Sequence, residues 1–422
     1  MRRVVITGLG VLAPNGSGKE RFWDACLRGV SGAGPVTRFD ASEMVSQVAC
    51  EVEDFDPRAA GLDEYESTVL DRHVQFALAA ATEAIEDAGL DTSRIDRDRA
   101  GVFVGSTNSA PTTFEGVWQE LTGNGAESLV GKQLPEDFYF GILSNAAGSG
   151  VAIRYGFHGP TALISDACSS GVDATEQAYQ AIAEGICDVA LCGGTDASVT
   201  PMGLACYCVL GAVTKRNDEP VRASRPFDRD RDGFVLGEGC AMAVVEELGH
   251  AQARGARIYA EILGVATNLN AYHMTALPSD GGPLAQVMQA AMRRGGVTPA
   301  DVDYLNAHGT STPVNDRSET AAAKRAFGEA APGIPVNSTK CMIGHTQGAA
   351  SAHQLVVLCM TLRDQVIHPT INYENPDPDC DLDYVPNSAR EAPVRVAMAN
   401  ASGFGGINSS IVLQGWNAGD PR

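Results

Sequence analysis

A cysteine, two histidines and a glycine loop, each set beside an apolar run, are the residues of this 422-residue chain best placed to do chemistry. Cys168 stands in Thr161-Ala-Leu-Ile-Ser-Asp-Ala-Cys-Ser-Ser-Gly171. A strand-like run ends there in a tight turn of small residues. A helical pattern then starts at about Ser169, with Val172, Thr175, Ala178, Tyr179 and Ile182 on one face and a stop at Gly185. A thiol at a helix N-terminus meets free N–H groups and the positive end of the macrodipole, which favour a thiolate. Small neighbours let a long substrate approach the sulfur, so the segment predicts a covalent nucleophile.

Three further segments supply partners. His308, in Asn306-Ala-His308-Gly-Thr310-Ser-Thr312-Pro-Val-Asn-Asp316, follows a strand and precedes a hydroxyl-rich loop, a position from which it can bind and protonate a polar substrate. His345 closes Lys340-Cys-Met-Ile-Gly344-His345, at the repeat counterpart of the Cys168 junction. Beside a helix N-terminus its cationic form is disfavoured, leaving a neutral donor or acceptor. Ala401-Ser-Gly403-Phe404-Gly405-Gly406 follows a strand, and its backbone N–H groups suit an oxyanion hole because glycines permit close approach. A lone strand-end histidine is more often structural. So is a buried cysteine, and Cys187, Cys192, Cys240 and Cys359 lie in apolar runs that read as core.

Strand-like and helical runs alternate along the chain, which makes the class α/β. Strands are expected at residues 3–7, 101–105, 161–165, 188–192 and 240–246. A second series follows at 258–265, 304–307, 334–337 and 394–398. Helices are expected at 72–88, 283–294 and 347–362. The two series echo each other. Val4–Gly10 parallels Ala260–Ala266, Gly101–Ser109 parallels Asp303–Ser311, and the junction at Cys168 parallels that at His345. The pattern predicts a duplicated fold with halves at 1–255, carrying the cysteine, and 256–422, carrying both histidines.

Composition narrows the function. The chain is 44% hydrophobic and 20% charged, as globular proteins are. A net charge of −21 argues against general nucleic-acid binding. Arg222, Arg225, Arg229 and Arg231 form a local basic run, but Asp228, Asp230 and Asp232 interleave it, so a self-neutralised loop is as good a reading. The apolar start Val4–Ala13 is broken by Gly8 and Gly10 and reads as a first buried strand rather than a signal peptide. No run is long enough to span a membrane. Eleven cysteines, an odd number without scaffold density, fit a reducing cytoplasm. No zinc-ligand spacing is present. Gly8-Leu-Gly10-Val-Leu-Ala13 imitates a dinucleotide fingerprint, but Pro14-Asn15-Gly16 blocks the required helix. Gly16-Ser-Gly18-Lys19 fails as a phosphate loop, with Ala13 and Glu20 at two key positions.

Taken together, Asp166-Ala-Cys168-Ser-Ser-Gly171, Asn306-Ala-His308-Gly-Thr-Ser-Thr312, Lys340 through Gly344-His345, and Gly403-Phe404-Gly405-Gly406 resemble the β-ketoacyl synthases of the thiolase superfamily. The resemblance runs from about Arg3 to Leu413. Asn270–Thr275, Arg216-Asn-Asp218, Arg225–Asp228 and Asp379–Val385 bring it nearest to the ketosynthase α subunit of bacterial type II polyketide synthases. It implies a thiolase-like duplicated α-β-α-β-α layered fold and no bound catalytic cofactor. It implies an acyl chain on Cys168, delivered by the phosphopantetheine of an acyl carrier protein, and a decarboxylative condensation with malonyl-carrier protein assisted by His308 and His345. By the same resemblance Lys340 gives electrostatic support near His345. Phe404 serves as gate and, with the backbone of Cys168, as oxyanion hole, and Thr310 and Thr312 hold the phosphopantetheine arm. The implied assembly is a heterodimer with a homologous chain-length-factor subunit. A fatty-acid elongation homodimer is the alternative. A degradative thiolase would need a second cysteine in the Gly403–Gly406 loop, which has none, and a non-catalytic subunit should lack Cys168. The chain departs from the family pattern at Asp166 and Ser169. It departs also at Thr346-Gln347, where the family usually continues with apolar residues.

Overall fold

A computed structural model describes residues 1–416; the last six residues of the expected C-terminal half lie outside them. Ten strands form one sheet: β1 (Val4–Leu12), β2 (Ala100–Gly105), β3 (Thr161–Ile164), β4 (Val189–Asp196), β5 (Gly239–Glu247), β6 (Ala260–Leu269), β7 (Tyr304–Asn306), β8 (Val336–Asn337), β9 (Val396–Ser402) and β10 (Ile407–Gly415). The principal helices are α1 (Arg72–Ala88), α2 (Pro111–Thr122), α3 (Ala146–Tyr155), α4 (Ser170–Ala183), α5 (Pro201–Val209), α6 (Gly282–Gly295), α7 (Pro313–Phe327) and α8 (Ala350–Asp364).

The strand order is β8-β7-β9-β10-β6-β1-β5-β4-β2-β3. Read outward from the centre, β1-β5-β4-β2-β3 is repeated by β6-β10-β9-β7-β8, with the same parallel and antiparallel pairings at each step. The halves join where β1 and β6 meet antiparallel, through Val5 with Glu261 and Ile6 with Ala260. Helices α4 and α8 touch each other and strands of both halves, forming the middle layer; α1 covers the outer face of one half and α6 that of the other. Strand sequence explains the layering. Along β5, Cys240, Met242 and Val244 face the apolar layer under α1, while Ala241, Ala243 and Val245 face the middle layer. A strand buried on both faces reads as a continuous apolar run. The α/β class and the thiolase-like duplicated layered fold are therefore what the chain adopts.

Most expected elements sit where the pattern placed them. Helix α1 spans the expected residues, capped by the Asp71 carboxylate at one end and by Gly89, at φ +57°, at the other. Cys187, Cys192, Cys240 and Cys359 are buried in the core, and Val4–Leu12 is a fully buried strand. Three details differ. The helix expected at 347–362 begins as a tight 3-10 turn at Gln347–Ala349 and becomes α-helical only at Ala350. Strand β8 keeps only Val336–Asn337, since Gly333 belongs to the preceding 3-10 run and Pro335 offers no N–H. Strand β10 had no counterpart among the expected strands.

The glycines of the false dinucleotide motif have a packing role. A Cβ on Gly10 would sit 1.9 Å from the Ala80 carbonyl oxygen, and one on Gly8 2.1 Å from that of Ala84, so both let α1 lie against β1. Gly10→Ala is expected to destabilise the protein by about 2 kcal/mol or more, as overpacking does. Gly116→Ala on α2, where a methyl meets nothing within 4 Å, should be neutral or slightly stabilising. Urea midpoints of the two variants check this; equal midpoints would contradict the packing account.

Candidate active site

The Cys168 turn is a 3-10 segment, Ala167–Ser169, that opens α4, and Ala167 holds the left-handed φ of +49°. The equivalent turn in the other half is Gln347–Ala349, opening α8, with Gln347 at φ +52°. Superposing the turns pairs Cys168 with Gly348 rather than with His345, which lies three residues earlier. That corrects the expected repeat register. The glycine is required, because a Cβ on Gly348 would fall 2.7 Å from Asp196 Oδ2 and 2.8 Å from the Thr107 nitrogen.

The structure brings the expected residues together. The Cys168 sulfur and one nitrogen from each of His308 and His345 lie within 4.8 Å of one another, all three side chains buried. The imidazoles meet edge to face, with centroids 5.4 Å apart. Lys340 Nζ donates to His308 Nδ1 at 3.3 Å, and the Gln347 backbone N–H donates to His345 Nδ1 at 3.2 Å. A ring nitrogen that accepts a proton carries none, so both neutral imidazoles hold their hydrogen on Nε2. The backbone N–H groups of Phe404 and of Cys168 itself turn toward the sulfur. Gly403 allows this, since its position leaves only 3.2 Å between a would-be Cβ and the Cys168 nitrogen. A cavity of about 410 Å³ opens over these groups and is lined also by Thr310, Thr312 and Phe404, the last 37% exposed. The hydroxyls of Thr310 and Thr312 stand 2.9 Å apart.

Electrostatics matches one expectation and corrects another. Burial, and then the Lys340 charge, push both imidazoles well below the usual histidine range, so each is neutral at pH 7. A resting thiolate at Cys168 was expected from the helix terminus, but burial raises the thiol to about 11 against the opposing pull of Lys340 and the Phe404 N–H. With the sulfur-bearing residue 6% exposed, desolvation outweighs the dipole. Iodoacetamide labelling of Cys168, followed by peptide mapping, should therefore accelerate about tenfold per pH unit from pH 7 to 9.5. A rate already level at pH 7 would show a thiolate instead. Burial pulls Lys340 below its ordinary range, while Cys168, Glu319 and Asp316 pull it back up. Cys168, His308 and His345 also have the spacing of a soft-metal ligand set, invisible as sequence spacing; the Lys340 ammonium beside them opposes a cation.

Sequence reasoning missed Glu319, on α7. Its carboxylate accepts from the His308 and Gly309 backbone N–H groups at 2.6 and 2.7 Å and from the Asn400 amide, fixing the loop that carries His308. No pattern marks a helix glutamate eleven residues after a histidine. Tyr207 and Phe234 were missed too: Phe234 packs edge-on to His345, and Tyr207 edge-on to Phe234. The arginine run is self-neutralised. Arg222 pairs with Glu219 and Glu374, Arg225 with Asp228 and Glu374, Arg229 with Asp230, and Arg231 with Asp316 and Asp377.

A duplicated thiolase-like fold, with a thiol, two imidazoles and backbone donors where its halves meet, defines an acyl-transferring enzyme class. The match to known proteins is narrower. The N-terminal domain of beta-ketoacyl synthase matches residues 1–251 and its C-terminal domain residues 259–374. The chain belongs to the beta-ketoacyl synthase family. It is 43% identical to the tetracenomycin polyketide synthase ketoacyl synthase alpha subunit of Streptomyces glaucescens, over 98% of this chain and 97% of that one. It is 44% identical to 3-oxoacyl-[acyl-carrier-protein] synthase 2 of Coxiella burnetii (strain RSA 493 / Nine Mile phase I), over 98% of both. Among solved structures it resembles a chain of AntDE:AntF, a type II polyketide synthase acyl-carrier protein in complex with its ketosynthase bound to the hexaketide. That match has a TM-score of 0.92 and 38% identity, over 99% of this chain and 100% of that one. The ishigamide ketosynthase/chain length factor follows at 0.90 and 33%, with the same coverage.

Proposed function

We propose that this chain is the condensing ketosynthase of a type II polyketide synthase, with Cys168 as acyl acceptor. The observation that carries the reading is the convergence of the Cys168 sulfur with two neutral imidazoles, each holding its proton on Nε2. An acyl carrier protein presents the chain as a thioester on its phosphopantetheine arm, which Thr310 and Thr312 hold. Cys168 attacks, the acyl–sulfur bond passes to Cys168, and the thiol proton ends on the departing pantetheine sulfur. Malonyl-carrier protein follows. Its carboxylate leaves as carbon dioxide, and the Nε2–H groups of His308 and His345 hold the enolate oxygen as charge develops. The enolate carbon attacks the acyl carbonyl, whose oxyanion is met by the Cys168 and Phe404 backbone N–H groups. Collapse expels the Cys168 sulfur, which regains a proton. Lys340 fixes His308 and supports the site electrostatically, and Phe404 gates the cavity.

The relatives' names support an acyl carrier protein as partner and pairing with a homologous chain-length-factor subunit. The Coxiella relative favours a second reading, a fatty-acid elongation homodimer with the same chemistry. The halves 1–255 and 256–422 and a cytoplasmic setting complete the proposal. Eleven free cysteines support the latter, and no helix among the described residues is long and apolar enough to cross a membrane.

The test is to supply the purified protein with acyl- and malonyl-carrier protein. A carrier-bound β-keto product two carbons longer, with one carbon dioxide released, is expected; transfer without carbon dioxide would refute the reading. Co-purification with a related chain lacking the cysteine separates the two pathways.

A further inference from the structure

The left-handed turns that open α4 and α8 meet different partners. The Cys168 N–H turns toward the reacting sulfur. The equivalent N–H in the other half, that of Gly348, donates instead to Asp196 Oδ2 at 2.6 Å. Asp196 is the last residue of β4 and is fully buried. Its Oδ2 accepts also from the Thr107 N–H at 2.9 Å, and its Oδ1 from the Ser106 hydroxyl at 2.9 Å and the Asn108 N–H at 3.1 Å. One carboxylate thus ties together the ends of β2 and β4 and the start of α8. All four partners are neutral donors. A buried carboxyl without a cation is expensive, and burial pushes this one up against the pull of its donors. What the acid supplies is acceptor capacity: two oxygens, about four lone pairs and no hydrogen of its own. An amide in its place would set an NH2 group against at least one of the backbone N–H groups.

The bond bears on the chemistry through its neighbours. The adjoining residue, Gln347, holds φ +52°, which costs a non-glycine residue energy unless its surroundings impose it. Its N–H is the donor that keeps His345 Nδ1 an acceptor, at 3.2 Å, and so leaves the ring proton on Nε2. The Gly348 N–H, one peptide further on, anchors that turn. Packing around it is stripped to the backbone. A Cβ on Gly194 of β4 would lie 2.5 Å from the Gly348 carbonyl oxygen, and one on Gly348 2.7 Å from Asp196 Oδ2. Without the carboxylate the turn relaxes, the Gln347 N–H swings away from the ring, and the tautomer with hydrogen on Nδ1 becomes accessible. That tautomer has no Nε2–H to offer an enolate oxygen.

We propose that Asp196 is a positioning residue for malonyl decarboxylation, acting through the Gln347–Gly348 turn to set the tautomer and aim of His345. This rests on His345 serving as an enolate donor. The test is a double-mutant cycle read as carbon dioxide release from malonyl-carrier protein. Asp196→Ala should slow release by about 10–10²-fold, as a small misplacement near the reacting atoms does. Cys168 of the same variant should still load fully from acyl-carrier protein by intact mass. In a His345→Ala background the change at Asp196 should cost about twofold or less, because the group it positions is gone. Gly348→Ala, which forces the turn off the carboxylate from the other side, takes the place of Asp196→Ala in the cycle if that variant does not fold. Undiminished release from the single variant, loading and release lost together, or an equal cost in both backgrounds overturns the role. No carbon dioxide from the unaltered protein would instead overturn the ketosynthase reading beneath it.

Discussion

Cys168→Ala is expected to abolish acyl-enzyme formation while leaving the fold intact. Alanine keeps the Cβ and suits the left-handed-then-helical turn, since Ala167 already occupies its strained position. The lost sulfur is the nucleophile that the proposed mechanism uses to carry the acyl group and to return it. Intact-mass measurement after incubation with acyl-carrier protein should show full labelling of the unaltered chain and none of the variant, with superimposable circular dichroism. Label still attached to the variant would sink the assignment. Cys206 is the exposed thiol to watch in such an experiment; Cys168, not Cys206, clusters with the two histidines, so no catalytic label is expected there.

The second large effect concerns the imidazoles. His308→Ala or His345→Ala should each slow carbon dioxide release from malonyl-carrier protein by about 10²–10³-fold, the range seen when one oxyanion donor is removed. The structure adds a pH signature. Both groups sit well below the ordinary histidine range, so they remain neutral as pH falls through 6.5, and carbon dioxide release should not decline there on their account. The charged form would gain population only at considerably lower pH, when the Nδ1 acceptors of the Lys340 and Gln347 donors are themselves protonated and those bonds fail. Unchanged release from both variants, or a break in the profile near pH 6.5 that the variants abolish, would refute this role.

Much of this was legible in the sequence, and the limits have physical causes. The α1 boundaries fell where the helical pattern placed them, at what the structure shows to be an aspartate cap and a terminal glycine. The strands of both halves followed from apolar runs. β10 escaped because its buried residues include Asn408, Ser409 and Ser410; their polarity is answered by contacts from elsewhere, such as Ser409 with Asp173 and Ser410 with the Ala399 carbonyl. The turn chemistry predicted Cys168, His308 and His345 as site residues, and they do converge. What no spacing revealed was which partner each ring nitrogen meets, because Lys340 and Glu319 reach His308 and its loop through the fold. The thiol's protonation was misjudged for a related reason: a helix terminus is visible in a sequence, and depth below the surface is not.

The sulfur belongs to one half of the molecule and both imidazoles to the other, so their spacing is set where α4 crosses α8. There the chain is pared to the backbone. A Cβ on Gly171 would lie 2.6 Å from the Ala352 nitrogen, and the Val172 N–H is held by the Ser351 hydroxyl at 3.1 Å. The seam works as a gauge block. Two helices that never meet the substrate fix, to within the width of a methyl group, the gap across which a carbon–carbon bond would form.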